Sequence, residues 1–188
     1  MGHEQGKVKK AAQRLWGGNI RFVENPRYEH SNTVYSLWLA IRYVNDDFFY
    51  INGDVVFRPD LLDRLAEEEG DGVLGVVGKH CGKEEVKVVV EDSRLVDIGK
   101  DISRERCFGE FIGVALFRES MLKLFNKSLH NLVEERGLVN EYFEAALAAI
   151  TGKVVLRVAD ISDIPCIEID FPKDLRWARR HSSDFGGE

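Results

Sequence analysis

The hydrophobic positions change period along the chain, and the changes mark out its elements. Residues 4–16 are polar and basic, with Val8, Ala11, Ala12 and Leu15 at helical spacing. That spacing predicts a surface helix ended by Gly17-Gly18. Ile20–Val23 reads as a short strand. Residues 24–32 are rich in turn formers, and Ser31 or Asn32 can cap the helix that follows. That helix places Val34, Leu37, Trp38, Ile41 and Val44 on one face. Phe48–Ile51 has the apolar, aromatic composition of a buried, parallel strand. The run breaks at Asn52-Gly53, and the carboxylate of Asp54 follows. Arg58-Pro59-Asp60 then opens a helix whose first turn accepts proline without losing a hydrogen bond, and Leu61, Leu62 and Leu65 form its buried stripe.

The second half alternates strands and helices. Val73–Val77 is a buried strand. Glu85–Val90 alternates in polarity and turns at Glu91–Arg94 into Leu95–Ile98, which predicts an antiparallel hairpin. Gly109–Phe117 is a strand interrupted by Gly109 and Gly113, the mark of close approach by a ligand or another backbone. Met121, Leu122, Leu124, Phe125, Leu129, Leu132 and Val133 define a long amphipathic helix. Asn140–Glu144 opens another, ending at Gly152. Val154–Val158 and Ile167–Asp170 are strands, and Pro172 starts the last helix.

Composition narrows the class. At 188 residues with 44% hydrophobic content, one domain over residues 1–181 with a frayed tail at 182–188 is expected. A formal net charge of −6 argues against a nucleic-acid surface, which wants a basic stripe. The three cysteines, Cys81, Cys107 and Cys166, form no CxxC pair, so neither a zinc site nor a disulfide framework is indicated. His80 beside Cys81 cannot make a metal site alone. Reduced thiols, no apolar leader and no membrane-length apolar run together point to a cytoplasmic protein that does not engage a membrane.

The candidate chemistry lies in two carboxylates. Asp54 and Asp170 each follow an apolar strand and precede a helix with proline in its first turn. In a doubly wound sheet both open onto one carboxyl edge. There they could share one Mg²⁺, with a triphosphate supplying further oxygens. The alternative for Asp170 is a helix-start acid complementing the dipole, and for Asn52-Gly53-Asp54, turn chemistry.

Several segments in order resemble nucleotidyltransferases of the sugar-phosphate and phosphocholine cytidylyltransferase type. They are Val23-Glu24-Asn25-Pro26 with Tyr28, Asn32–Leu37, Ile51–Phe57, Val86-Lys87-Val88, Ile98–Asp101, Gly109–Val114, Asn140–Glu144 and Glu168–Leu175. The resemblance covers roughly residues 20–180. It implies an α/β, Rossmann-like three-layer α/β/α fold with a small β-hairpin insertion. It also implies Mg²⁺-dependent attack by a small phosphorylated alcohol or sugar on the α-phosphorus of an NTP, CTP favoured, with release of pyrophosphate. On the same resemblance Asp54 and Asp170 are the catalytic metal carboxylates. Asn32, Ser36, Asn52 and Gly53 face the nucleotide, and Lys87, Glu110, Tyr142 and Glu144 serve the acceptor.

The chain departs from that pattern in two places. Nothing matches the family's cationic glycine-rich loop, so at least ~30 residues, a βαβ unit's worth, are expected to be absent. The chain alone is then expected to be catalytically silent. Loss of a central strand should expose Ile51, Val73 and Val114 and invite self-association or a complementing N-terminal chain. Pro165-Cys166-Ile167 stands where relatives acting on choline often carry Trp, which weakens a choline reading. Two alternatives are a non-catalytic remnant binding a nucleotide or partner, and a metal-dependent glycosyltransferase. The latter's Asp-x-Asp is not met by Asn52-Gly53-Asp54.

Overall fold

The computed structural model describes residues 1–16 and 18–186. Gly17, expected to help end the first helix, and the last two residues of the 182–188 tail lie outside the described residues. Contacts divide the chain into two compact units, one of Met1–Asn45 with Leu124–Leu147, the other of Asp46–Lys123 with Ala148–Glu188.

The first unit begins with α1 (Gln5–Trp16), which buries no residue, as its polar composition requires. Residues 20–23, expected as a strand, join no ladder. They meet the chain start, where the Met1 ammonium donates to the Val23 carbonyl at 2.8 Å, and Arg21 lies 4.4 Å over the Tyr43 ring. Helix α2 (Thr33–Ile41) starts at Asn32, whose Oδ1 accepts from the Thr33 amide, and buries Val34, Leu37 and Ile41. Trp38 and Val44 are only half-buried. The long helix α4 (Glu119–His130), which belongs to this unit from Leu124 on, runs into a π-helical turn, Asn131–Glu135, with Leu132 and Val133 buried. Only a short helix, α5 (Glu144–Ala148), follows the Asn140–Glu144 stretch.

The second unit holds the sheets. Their strands are β1 (Phe48–Ile51), β2 (Val55–Phe57), β3 (Gly72–Val77), β4 (Lys87–Glu91), β5 (Arg94–Gly99), β6 (Gly109–Phe117), β7 (Leu156–Asp160) and β8 (Cys166–Glu168). Six strands run in the order β1-β6-β3-β7-β5-β4, with β4 also pairing to β6, while β2 and β8 form a separate ribbon. Among the described residues the only parallel pair is β3–β7. The strand read as buried and parallel, β1, is instead antiparallel to β6 and alternates half-buried with exposed residues. One side of its apolar run faces outward, so Phe49 and Ile51 are 39% and 43% exposed. Val73 and Val114, expected to be exposed with Ile51, are fully buried. Both sit in interior strands and pack with Leu61 and Leu65 of α3 (Asp60–Glu67), Ile112, Ala159 and Ile161. Burying each of those leucines contributes about 1.5–3 kcal/mol. Among the described residues no helix is long and apolar enough to cross a membrane.

The β4–β5 hairpin closes through Asp92 and Ser93, both at positive φ (48° and 61°). Two left-handed residues match the twist of the flanking strands. The tail is partly structured, since Ser182–Phe185 forms a 3₁₀ turn after α6 (Pro172–Arg180).

The two glycines of β6 are there for backbone and side-chain approach. A Cβ at Gly109 would lie 2.3 Å from the Val77 carbonyl oxygen. Gly113 has φ +76°, and a Cβ there would lie 2.2 Å from Asn52 Nδ2. Gly113→Ala is therefore expected to cost about 2 kcal/mol or more, from left-handed strain plus displacement of Asn52. Gly53→Ala, whose Cβ would meet nothing within 4 Å, should cost under ~1 kcal/mol. Urea unfolding midpoints of the two variants test the contrast, and equal losses would contradict it.

Candidate active site

The β2–β8 ribbon sets the position of both candidate metal carboxylates. Val55 pairs with Glu168 and Phe57 with Cys166. One step beyond the ladder, the Ile169 amide donates to the Asp54 carbonyl at 2.8 Å. Asp54 and Asp170 thus leave the same end of one antiparallel ribbon, and both are exposed. Directly after Asp170, the Asp174 carboxylate accepts the Phe171 amide at 2.7 Å and fixes the start of α6.

Asp170 lies on the wall of a cleft of about 400 Å³ within the second unit. Glu168, Ile167 and Cys166 of β8, Glu110 and Ile112 of β6, Val77 of β3, and Lys79, Glu84 and Glu85 of the following loop complete the lining. Lys79 Nζ and Glu110 Oε2 are 2.5 Å apart. Burial opposes the Lys79 charge, but the Glu110 carboxylate, helped by Glu85 and Cys81, raises the lysine above its ordinary value. Glu168 is pushed up to about 7, first by burial and then by the negative charges of Glu110, Asp170 and Asp54. Burial, then Glu110 and Glu168, also push the Cys166 thiol up. The cleft is therefore an acidic site, with Lys79 as its one lining cation among the described residues.

The other expected residues of this unit are held by the fold. The Asn52 amide donates to the Gly113 carbonyl at 2.8 Å, and Asn52 Oδ1 accepts from the Tyr50 hydroxyl at 2.7 Å. Gly53 sits in the exposed turn before Asp54. Lys87, expected to meet the acceptor, is 2% exposed and does not line the cleft. Its ammonium donates to the carbonyls of Lys100 (2.5 Å), Glu85 (3.3 Å) and Lys83 (3.5 Å), three backbone groups at the neck of the hairpin. A buried cation without those acceptors would be costly, so its place is set by the backbone.

Asn32, Ser36, Tyr142 and Glu144 belong to the first unit. The Asn32 amide donates to Val139 O, the Val34 amide to Glu141 O, and the Phe143 amide to Thr33 Oγ1, so the start of α2 and the stretch before α5 are stitched together. Buried Asn25 anchors the same region, donating from Nδ2 to the hydroxyls of Ser31 and Ser36, each at 3.0 Å. Tyr142 is 41% exposed and Glu144 is buried.

Sequence reasoning missed Lys79, Glu84, Glu85, Cys166 and Glu168. Glu168 was within reach, because it stands two residues before Asp170 on a strand and shares its face. The loop residues Lys79, Glu84 and Glu85 carry no periodic signal. Among the described residues no cluster of three or more His, Cys, Asp or Glu side chains is arranged to hold a metal. Asp54 and Asp170 are hard oxygen donors of the kind Mg²⁺ takes, with waters and substrate phosphates completing its shell.

No protein-family model matches the chain. It is 31% identical over 188 residues to the CMP-5'-(3-aminopropyl)phosphonate synthase of Streptomyces rubellomurinus, covering 92% of this chain and 30% of that protein. It is 30% identical over 160 residues to the bifunctional IPC transferase and DIPP synthase of Rubrobacter xylanophilus, covering 84% of this chain and 35% of that protein. The chain thus spans about a third of the length of the curated relatives it matches. Its fold is similar to the inositol-1-phosphate CTP transferase of T. maritima (TM-score 0.77, 24% identity, 97% of this chain and 74% of that one). It is also similar to the CTP:phosphocholine cytidylyltransferase of Streptococcus pneumoniae (TM-score 0.72, 16% identity, 94% and 74%). These relatives and neighbours match the nucleotidyltransferase resemblance drawn from the motifs, and the fold is theirs.

The raised Glu168 value carries a pH dependence in metal-free protein. The folded chain holds a proton on Glu168 up to about pH 7, whereas the unfolded carboxyl releases it near its ordinary 4.5. The stabilisation is complete below that unfolded value and is lost as pH rises through about 7. Urea midpoints measured in EDTA should therefore fall between these pH values, and Glu168→Gln should flatten the fall. A wild-type slope in the variant would contradict the assignment.

Proposed function

We propose that this chain, which has the fold of the nucleotidyltransferases, is the catalytic domain of a cytidylyltransferase. An acceptor phosphate or phosphonate oxygen attacks the α-phosphorus of CTP, the bond to the β-phosphate bridging oxygen breaks, and pyrophosphate leaves. The observation that carries this reading is the β2–β8 ribbon, which delivers Asp54 and Asp170 to one end, Asp170 on the wall of the cleft. Asp54 and Asp170 are the side chains that would hold Mg²⁺, and the metal, when bound, supplies neutralisation of phosphate charge. Such transfer relies on positioning and charge neutralisation more than on acid–base groups. A CTP-consuming reaction of this kind belongs in the cytoplasm.

The cleft also favours one class of acceptor. Among the described residues, Glu84, Glu85, Glu110 and Glu168 line the cleft with Lys79 as the sole cation, and Lys79 is already paired with Glu110. A small acceptor with an ammonium at the end away from its phosphorus complements that wall better than a neutral sugar does. The aminopropylphosphonate named for the Streptomyces relative has that character.

In the full-length protein, Asp54→Ala and Asp170→Ala should each lower pyrophosphate release from CTP by roughly 10²-fold or more with the far-UV spectrum unchanged. Near-normal turnover in either would reject the metal assignment. With CTP fixed, 3-aminopropylphosphonate should give higher kcat/KM than inositol 1-phosphate or glucose 1-phosphate. The reverse order would reject the cationic acceptor while leaving the transferase reading in place. Release of free sugar from a nucleotide sugar would reject both.

A further inference from the structure

Cys81 and Cys107 stand apart from the candidate chemistry, yet their sulfurs are 2.7 Å from each other. That is well inside the separation of two unbonded sulfur atoms in contact. Each thiol has a second backbone neighbour, Cys81 Sγ at 3.6 Å from Lys79 O and Cys107 Sγ at 3.3 Å from Gly109 O. The Cys107 side is held in place. The Phe108 amide donates to Val88 O and the Phe111 amide to Val86 O, which seats the Cys107 strand start against β4. No third donor stands with the pair to make a metal site among the described residues. Cys81 sits two residues after Lys79, and Cys107 three before Glu110, the two partners of the cleft's ion pair.

We propose that Cys81 and Cys107 form a reversible disulfide under oxidising conditions, and that it clamps the loop over residues 78–86 to the start of β6. That loop supplies Lys79, Glu84 and Glu85 to the cleft wall, so the bond sets the mobility of one side of the cleft. The inference stands on the second unit's geometry and does not depend on the proposed reaction.

The chemistry is thiol–disulfide exchange with a small-molecule disulfide such as oxidised glutathione. Cys107 is half-exposed and Cys81 is 5% exposed, so Cys107 meets the oxidant first. Burial, followed by the hydrogen bond and charge of Cys107, pushes the Cys81 thiol up to about 12, which keeps it the slower nucleophile. The Cys107 thiolate attacks one glutathione sulfur, the glutathione S–S bond breaks, and one glutathione leaves and is protonated. Cys81, giving up its proton to water, then attacks the Cys107 sulfur of the mixed disulfide, and the second glutathione leaves as a thiol. The protein loses two electrons and two protons, and the small-molecule disulfide gains them.

Titrating the purified protein across defined ratios of oxidised to reduced glutathione, followed by acid trapping, alkylation and peptide mapping, tests the bond. The expected result is a Cys81–Cys107 cross-linked peptide with Cys166 alkylated, reversed by dithiothreitol. The oxidised form should melt on the order of 5 °C higher or more. Its 78–86 amides should exchange with solvent several-fold more slowly. Cys107→Ser should lack all three changes, and Cys81→Ala repeats the test should the first variant misfold. Alkylation of both thiols at the most oxidising ratio, pairing of either with Cys166, or an oxidised form with unchanged melting and exchange would overturn the proposal.

Discussion

The sheet of the second unit depends on one strand. β6 pairs with β3 along one edge, while its other edge is shared between β1 at the Val114–Phe117 end and β4 at the Gly109–Glu110 end. All nine of its residues are buried. Three partners can approach so closely only because Gly109 leaves room for the Val77 carbonyl and Gly113 leaves room for Asn52. The same strand carries Glu110 and Ile112 into the cleft, so the glycines that close the sheet also set the depth of the site. Core packing on α3 then holds β6 from one face through Leu61 and Leu65.

A buried strand cannot by itself explain why so much negative charge gathers beside it. Glu110, Asp170 and Asp54 lie close enough for their three charges to act together with burial on Glu168. Lys79 offsets one of them at short range. Gathered carboxylates of this kind are costly unless a cation offsets them, which is the physical basis of the proposed metal and ammonium acceptor. The proposed disulfide acts on the same wall from behind, through the loop that carries Lys79.

Much of this was legible in the chain. Helix starts at Asn32 and Pro172, the hairpin around Asp92-Ser93, and the strands at 73–77 and 109–117 followed from turn chemistry and period. Strand direction was not legible, because an apolar run such as Phe48–Ile51 looks the same whether its partner runs parallel or antiparallel. The Asp54–Asp170 juxtaposition could be anticipated from two strand ends, but the ribbon that creates it pairs segments more than 100 positions apart, and no local pattern encodes that. Lys87 shows a different limit. Its residue type fits a substrate contact, and only the three carbonyls around its ammonium reveal a structural post.

That post has a consequence for chemical footprinting. Lysines are ordinarily the first side chains to react with amine-directed reagents or with acetyl donors, because their heads stand in water. At 2% exposure, with its ammonium donating to three backbone oxygens, Lys87 is shielded from both. Its acylation would report opening of the hairpin's neck, which makes Lys87 a built-in sentinel for local unfolding beside the cleft.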